Sequence, residues 1–150
     1  MSGLLVAIDP GTTHSGWVVM QDGQPVDHGI ADNHDVLDML RGFNTAQVAI
    51  EMIASYGMAV GAEVFDTCVW IGRMSQVAGV DRVRLVFRRD VKSHLCGSVK
   101  AKDPNVRQAL IDRWGGKAAA IGTSKQRGPL YGVKSHAWAA LGVAVTALET

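Results

Sequence analysis

The stretch Leu4–Gly16, LLVAIDPGTTHSG, decides the fold. Its apolar run, Leu4 to Ile8, is too short for a helix and right for a buried strand. Asp9 follows at the strand end, and Pro10-Gly11 turns the chain. The polar residues Thr12, Thr13, His14 and Ser15 lead into Gly16-Trp17-Val18-Val19-Met20, which starts a second strand. The result is a hairpin with one carboxylate left at the top of its first strand. An acid buried there is costly unless something cationic meets it. Asp9 is therefore either a metal ligand or the side-chain cap of its own turn.

The same signature recurs downstream. Gln47-Val48-Ala49-Ile50 is a short strand with Glu51 at its end. Alone, such a Glu is ordinarily solvated; paired with Asp9 it becomes a second candidate ligand. Between them lie an Asp22-Gly23 turn, an edge-like strand over 25–31, and a short helix capped by Asp32 or Asn33 with Val36, Leu37 and Leu40 on one face. After Glu51, a loop leads into a helix expected from about Met58 to Val77. Its apolar residues form two stripes, Met58, Ala62, Phe65 and Val69 on one side and Val60, Val64, Cys68 and Ile71 on another. A helix apolar on two faces needs two partners, the sheet and either a neighbouring helix or a second subunit, so a homodimer is expected.

Arg82–Phe87 reads as a fifth strand. Arg88, Arg89, Lys92 and His94 surround a short helix, and Asp103-Pro104 supplies a cap and a first-turn proline for a helix through Trp114. Residues 117–130 are small, basic and broken by Gly122, Gly128 and Pro129, the composition of a mobile loop. Ser135 then caps a last helix, His136 to about Leu148. The early hairpins are antiparallel and the later crossovers require parallel pairing. The expectation is an α/β chain, one domain over 1–150, with a mixed five-stranded sheet flanked by helices in the RNase H-like arrangement.

A chain of 150 residues with 47% apolar content can bury a core without staples. No apolar run reaches membrane-spanning length, so no membrane partner is expected. MSGLLVAID lacks the features of a signal peptide. Cys68 and Cys96 have no metal-ligand spacing and read as reduced core thiols. Together these suggest a cytoplasmic protein. Net charge is only +1, yet Arg82 to Lys134 holds 13 Lys/Arg against 3 Asp/Glu, while the rest holds 2 against 11. That split suggests a basic surface for phosphates, with acids set apart.

Asp9 in VAIDPGTTHSGWVV, Glu51 in VAIEM and the last helix, SHAWAALGVAVTAL, resemble the metal-binding strands and C-terminal helix of RuvC-type Holliday junction resolvases. The resemblance runs in order over essentially the whole chain, and phage-encoded members are nearest in character. It implies a homodimeric endonuclease of a bacterial or phage-infected cell that nicks Holliday junctions or other branched DNA in recombination and repair. It also implies Mg²⁺, with Mn²⁺ as a substitute, bound as two ions. Asp9 would bridge both ions, Glu51 would hold one, and the last helix would supply the remaining ligand. The first turn of that helix departs from the pattern. That helix usually carries one or two Asp in its first turn; here the residues are His136 and Ala139, and no acid lies between Asp112 and Glu149. His136 is thus either the third ligand or a helix-start histidine facing solvent. The missing acid bears directly on the second ion.

Mg²⁺ prefers carboxylate oxygen and water, and two ions can activate a water and steady the leaving 3′ oxygen. Lys92, Lys100, Lys102 or Lys134 could neutralise the scissile phosphate. DNA grip is expected from Arg88, Arg89, Lys92, Lys100, Lys102, Arg107, Lys125, Arg127 and Lys134, through phosphates. Tyr56, just past Glu51, could stack on an unpaired base or lie half-buried over a helix. The competing readings are a YqgF-like nuclease acting on RNA, a non-catalytic junction-binding protein, and an ATP-binding module of the actin and hexokinase kind. The last needs a second phosphate loop that 150 residues do not provide.

Overall fold

The computed structural model describes residues 3–150. Five strands, β1 (Leu4–Asp9), β2 (His14–Gln21), β3 (Gln24–Asp32), β4 (Gln47–Met52) and β5 (Val83–Phe87), form one sheet in the order β3-β2-β1-β4-β5. β1, β2 and β3 are an antiparallel meander. β4 pairs parallel to β1, and β5 parallel to β4. The crossovers run through α1 (Asn33–Gly42) and α2 (Ala62–Ala78); α3 (Arg88–Cys96), α4 (Asp103–Arg113), the one-turn α5 (Lys117–Ala120) and α6 (His136–Glu149) follow. The mixed, helix-flanked sheet is the one expected.

Strand parity sorts the core into two halves. Val6 and Ile8 of β1, Val19 of β2, and Val48 and Ile50 of β4 pack with Val36, Leu37 and Leu40 of α1 and Ile71, Met74 and Ala78 of α2. Leu5, Ala7, Val18, Met20, Ala49 and Val86 face the other way, against α3, α4 and α6. Asp9 shares the parity of Leu5 and Ala7, and Glu51 that of Ala49. Both acids therefore belong to the α6 side. α6 crosses β1 and β2 there, with small residues Ala137, Ala140, Gly142 and Ala144 buried along it.

Several boundaries differ from expectation. α2 starts at Ala62, not near Met58. Gly61 is the N-cap residue and holds extended backbone (φ −98°, ψ −176°), so helical dihedrals begin only after it. Only one α2 face is buried, through Thr67, Ile71, Met74 and Ala78, while Phe65 and Val69 are about three-fifths exposed. α4 begins at Asp103 with Lys102 as its N-cap residue, because the Asp103 carboxylate is bonded to Arg88 instead of capping the helix. Ser135 precedes α6 with φ 51° and makes no side-chain cap.

Residues 117–130 are not an open loop. α5 is followed by a tight turn in which Thr123 and Gln126 exchange backbone hydrogen bonds, and Gly128 N–H and Leu130 N–H donate to Ile121 and Ala120 carbonyls. Buried Ala120 and Leu130 anchor the segment to the core. Cys68 and Cys96 are free thiols, but only partly buried. No helix of the described residues is long and apolar enough to cross a membrane.

Candidate active site

The register places the two acids side by side. Ala7 is paired with Ala49 and Ile8 with Ile50 on the parallel strands β1 and β4. The next residues along are Asp9 and Glu51, on one face and at the same end of the sheet. Across the antiparallel pair, Asp9 is opposite Gly16. That glycine makes room for α6: a Cβ there would lie 2.4 Å from the carbonyl carbon and oxygen of His136. With the first turn of α6 pressed on β2, His136 Nδ1 reaches Asp9 Oδ2 at 2.8 Å and donates to the carboxylate. Asp9 is nearly enclosed, its side chain 10% exposed, while the imidazole is 69% exposed.

Asp9, Glu51, Ser135, His136, Trp138 and Ala139 line a cleft of about 450 Å³, which Arg88, Asp103, Val106 and Arg107 close from the α3–α4 side. Arg88 Nη1 lies 4.0 Å from Glu51 Oε1, and Arg88 Nη2 is bonded to Asp103. Burial lifts both strand-end carboxyls above the usual carboxylate range. For Asp9, His136 pulls part of that shift back. For Glu51, the neighbouring Asp9 charge adds to burial, and the group is pushed up to about 8 against the pull of Arg88. Two acids whose proton affinities rise together in one cleft are suited to hold a cation, since a cation relieves both burdens at once.

The fit to a divalent ion is specific in part. Glu51 Oε1 is buried with no hydrogen-bond partner among the described residues, an orphan carboxylate oxygen beside a second acid. Such an atom is expensive without a ligand, and hard oxygen donors match Mg²⁺. Asp9 and Glu51 therefore fit an ion. Among the described residues, however, no three His, Cys, Asp or Glu side chains already converge as a metal cluster. His136 is brought to the site but is engaged with Asp9 through Nδ1. The first turn of α6 presents Ala139 to the cleft where a further acid would stand.

Superposition on solved structures identifies the scaffold. The Thermus thermophilus RuvC structure aligns over 95% of this chain and 92% of that one, at TM-score 0.65 and 22% identity. The chain has the RuvC fold. A second structure, T. thermophilus RuvC in complex with a Holliday junction substrate, aligns over 95% of this chain and 91% of that one, at TM-score 0.66 and 21% identity. Neither a protein-family model nor a curated protein matches the sequence.

On this RuvC frame, the expected DNA-facing residues divide. Arg107 lines the cleft with its guanidinium 4.9 Å from the Trp138 ring centroid. Lys100, Lys102, Lys125, Arg127 and Lys134 are exposed, with Arg127 over the Tyr131 ring. Lys92 is partly buried in α3. Arg89 stands 5.4 Å from the ring centroid of Tyr56, which is itself exposed and not tucked over a helix. Arg88 is not a free surface cation: it is held between Glu51 and Asp103.

Sequence reasoning missed two further groups. Asn33 and Ser15 are fully buried polar residues that fix the turn after Asp9. Ser15 Oγ donates to Asn33 Oδ1 at 2.5 Å and accepts from Gly11 N–H, and Asn33 Nδ2 donates to the Gly11 carbonyl. The second is Asp103, read as a helix cap but placed in the cleft. An Asn following a strand-end Asp is a weak signal, and nothing local marks Asp103 as a partner of Arg88.

Proposed function

We propose that residues 1–150 act as one nuclease domain that nicks Holliday junctions or other branched DNA with divalent metal ions. The observation that carries this reading is the pair Asp9 and Glu51: a buried and a partly buried acid from adjacent parallel strands, with Asp9 bonded to His136, in an open cleft walled by arginines. Asp9 and Glu51 would hold the ion, with His136 contributing to a second. When bound, Mg²⁺ or Mn²⁺ supplies Lewis acidity that activates a water and neutralises phosphate charge. The chain itself holds Asp9 in place through His136, fixes the adjoining turn through Asn33 and Ser15, and lines the DNA approach with cations. Arg89, Lys92, Lys100, Lys102, Arg107, Lys125, Arg127 and Lys134 would grip phosphates, and Tyr56 would stack on a base at the branch.

A homodimer is part of the proposal. Phe65 and Val69, one helical turn apart on α2, expose an apolar strip that no element among the described residues covers, and a twofold dimer would offer two clefts to the two related strands of a junction. The RuvC complex with Holliday junction DNA supports the substrate class.

The test is incubation with labelled four-way junction, linear duplex and RNA, with and without Mg²⁺. Metal-dependent nicking of the junction supports the reading. Cleavage of RNA alone favours the YqgF-like alternative. Tight junction binding without nicking favours a non-catalytic binder, the reading that Ala139 in the cleft supports.

A further inference from the structure

At the back of the cleft, Arg88 Nη1 is buried with no hydrogen-bond partner among the described residues, 4.0 Å from Glu51 Oε1. A guanidinium presents its N–H groups as a planar fork, and a shielded N–H without an acceptor is costly. The fork is nonetheless fixed, because its other nitrogen, Nη2, is bonded to Asp103. Asp103 is 83% exposed at the first residue of α4, so its own burial does not require that bond. Arg88 is the first residue of α3, directly after β5, and its side chain is 26% exposed. The arrangement is a half-satisfied cation in the wall of the cleft that holds Asp9 and Glu51. No lysine lines that cleft.

We propose that Arg88 is the cation that meets the scissile phosphate, and that Asp103 is its positioning residue. This rests on the nuclease reading and names the group that neutralises the reacting phosphate. A phosphate oxygen would supply the acceptor that Nη1 lacks, in the planar geometry an Arg–phosphate pair favours. In the hydrolysis, the water oxygen bonds to phosphorus as the bond from phosphorus to the 3′ oxygen breaks. One water proton goes to solvent, the 3′ oxygen takes up a proton, and the products are a 5′-phosphate and a 3′-hydroxyl. Arg88 stabilises the charge that builds on the non-bridging oxygens. Arg107, stacked on Trp138, is left to grip DNA elsewhere in the cleft.

The experiment has two arms. In single-turnover nicking of a four-way junction at saturating protein and Mg²⁺, Arg88→Ala should slow the reaction by about 100-fold with little change in junction affinity. Arg88→Lys should recover part of the rate, and Asp103→Asn should fall between Arg88→Ala and the parent. In chelator, the parent should bind a nicked junction with a 5′-phosphate more tightly than one with a 5′-hydroxyl, and Arg88→Ala should bind both alike. Arg107→Ala should weaken both and keep the preference. An Arg88→Ala protein that regains the full rate at saturating Mg²⁺, or that keeps the 5′-phosphate preference, overturns the proposal and leaves Arg88 as a counter-charge to Glu51. If the parent itself neither binds nor nicks branched DNA, the nuclease reading has failed, a result distinct from failure of the variants.

Discussion

The backbone of His136 rests on Gly16: no side chain fits between them, and a Cβ on Gly16 would sit 2.4 Å from the His136 carbonyl oxygen. Backbone cannot yield as a flexible side-chain tip can. Gly16→Ala should therefore push the first turn of α6 off β2 and break the contact between Asp9 and His136. Overpacking of this kind costs about 1–3 kcal/mol. Urea denaturation should show that loss of stability, and junction nicking should fall far more than folding does. A variant with parental activity would mean that α6 does not position the site.

Asp9→Asn should abolish nicking while the junction affinity stays near that of the parent. The change removes a carboxylate from the end of β1 and leaves every lysine and arginine in place. Gel-shift and cleavage assays on the same preparation separate the two. Junction binding by both proteins should weaken steeply with added salt, as counterion release requires.

Stability in chelator should depend on pH through Glu51. Its carboxyl is pushed up to about 8 by burial and by Asp9, from 4.5. The folded protein thus holds the proton more tightly than the unfolded chain. The resulting stability is complete below about pH 4.5 and is lost as pH rises through 8. Asp9 shifts in the same direction. Denaturation midpoints should decline across that window, Glu51→Gln should flatten most of the decline, and Mg²⁺ should restore stability at the alkaline end by replacing the proton. A midpoint that rises with pH would contradict the buried acid pair.

His136→Ala should raise the Mg²⁺ concentration needed for half-maximal nicking, because it removes both a donor and the partner that orients Asp9. His136→Asp should retain activity, since a carboxylate can take the ligand role. Identical Mg²⁺ titrations for parent and His136→Ala would reduce His136 to a surface residue.

Phe65→Glu together with Val69→Lys should leave the fold intact and separate the subunits, because both side chains point away from the core. Light scattering at micromolar concentration should report a dimer for the parent and a monomer for the variant. A monomeric parent would remove the dimer from the proposal.

The sheet and its two acids were legible because strand ends announce themselves: an apolar run of five or so residues followed by a carboxylate needs no tertiary information. The helix caps and turns around α1 were legible for the same reason. What escaped depends on distant parts of the chain meeting. Arg88 and Asp103 sit on separate helices, and only the docking of α3 against α4 brings them together. Gly16 looks like any strand glycine until α6 lies across it. The 117–130 segment has the composition of a flexible loop, but Ala120 and Leu130 tie it down, and two apolar residues among many small ones form no pattern. The early start expected for α2 failed because Met58 and Val60 continue the apolar spacing of the helix, yet Gly61 is extended and the helix begins only at Ala62.

The bond between Asp9 and His136 spans 127 positions of sequence. During synthesis, the strands that carry Asp9 and Glu51 emerge well before α6 does. Until that helix leaves the ribosome and docks, the growing chain has an uncovered apolar sheet face and an unfinished cleft. A nuclease built this way would be harmless to nearby nucleic acid while being made, and a nascent chain stalled before residue 136 would be a substrate for chaperones rather than an active fragment.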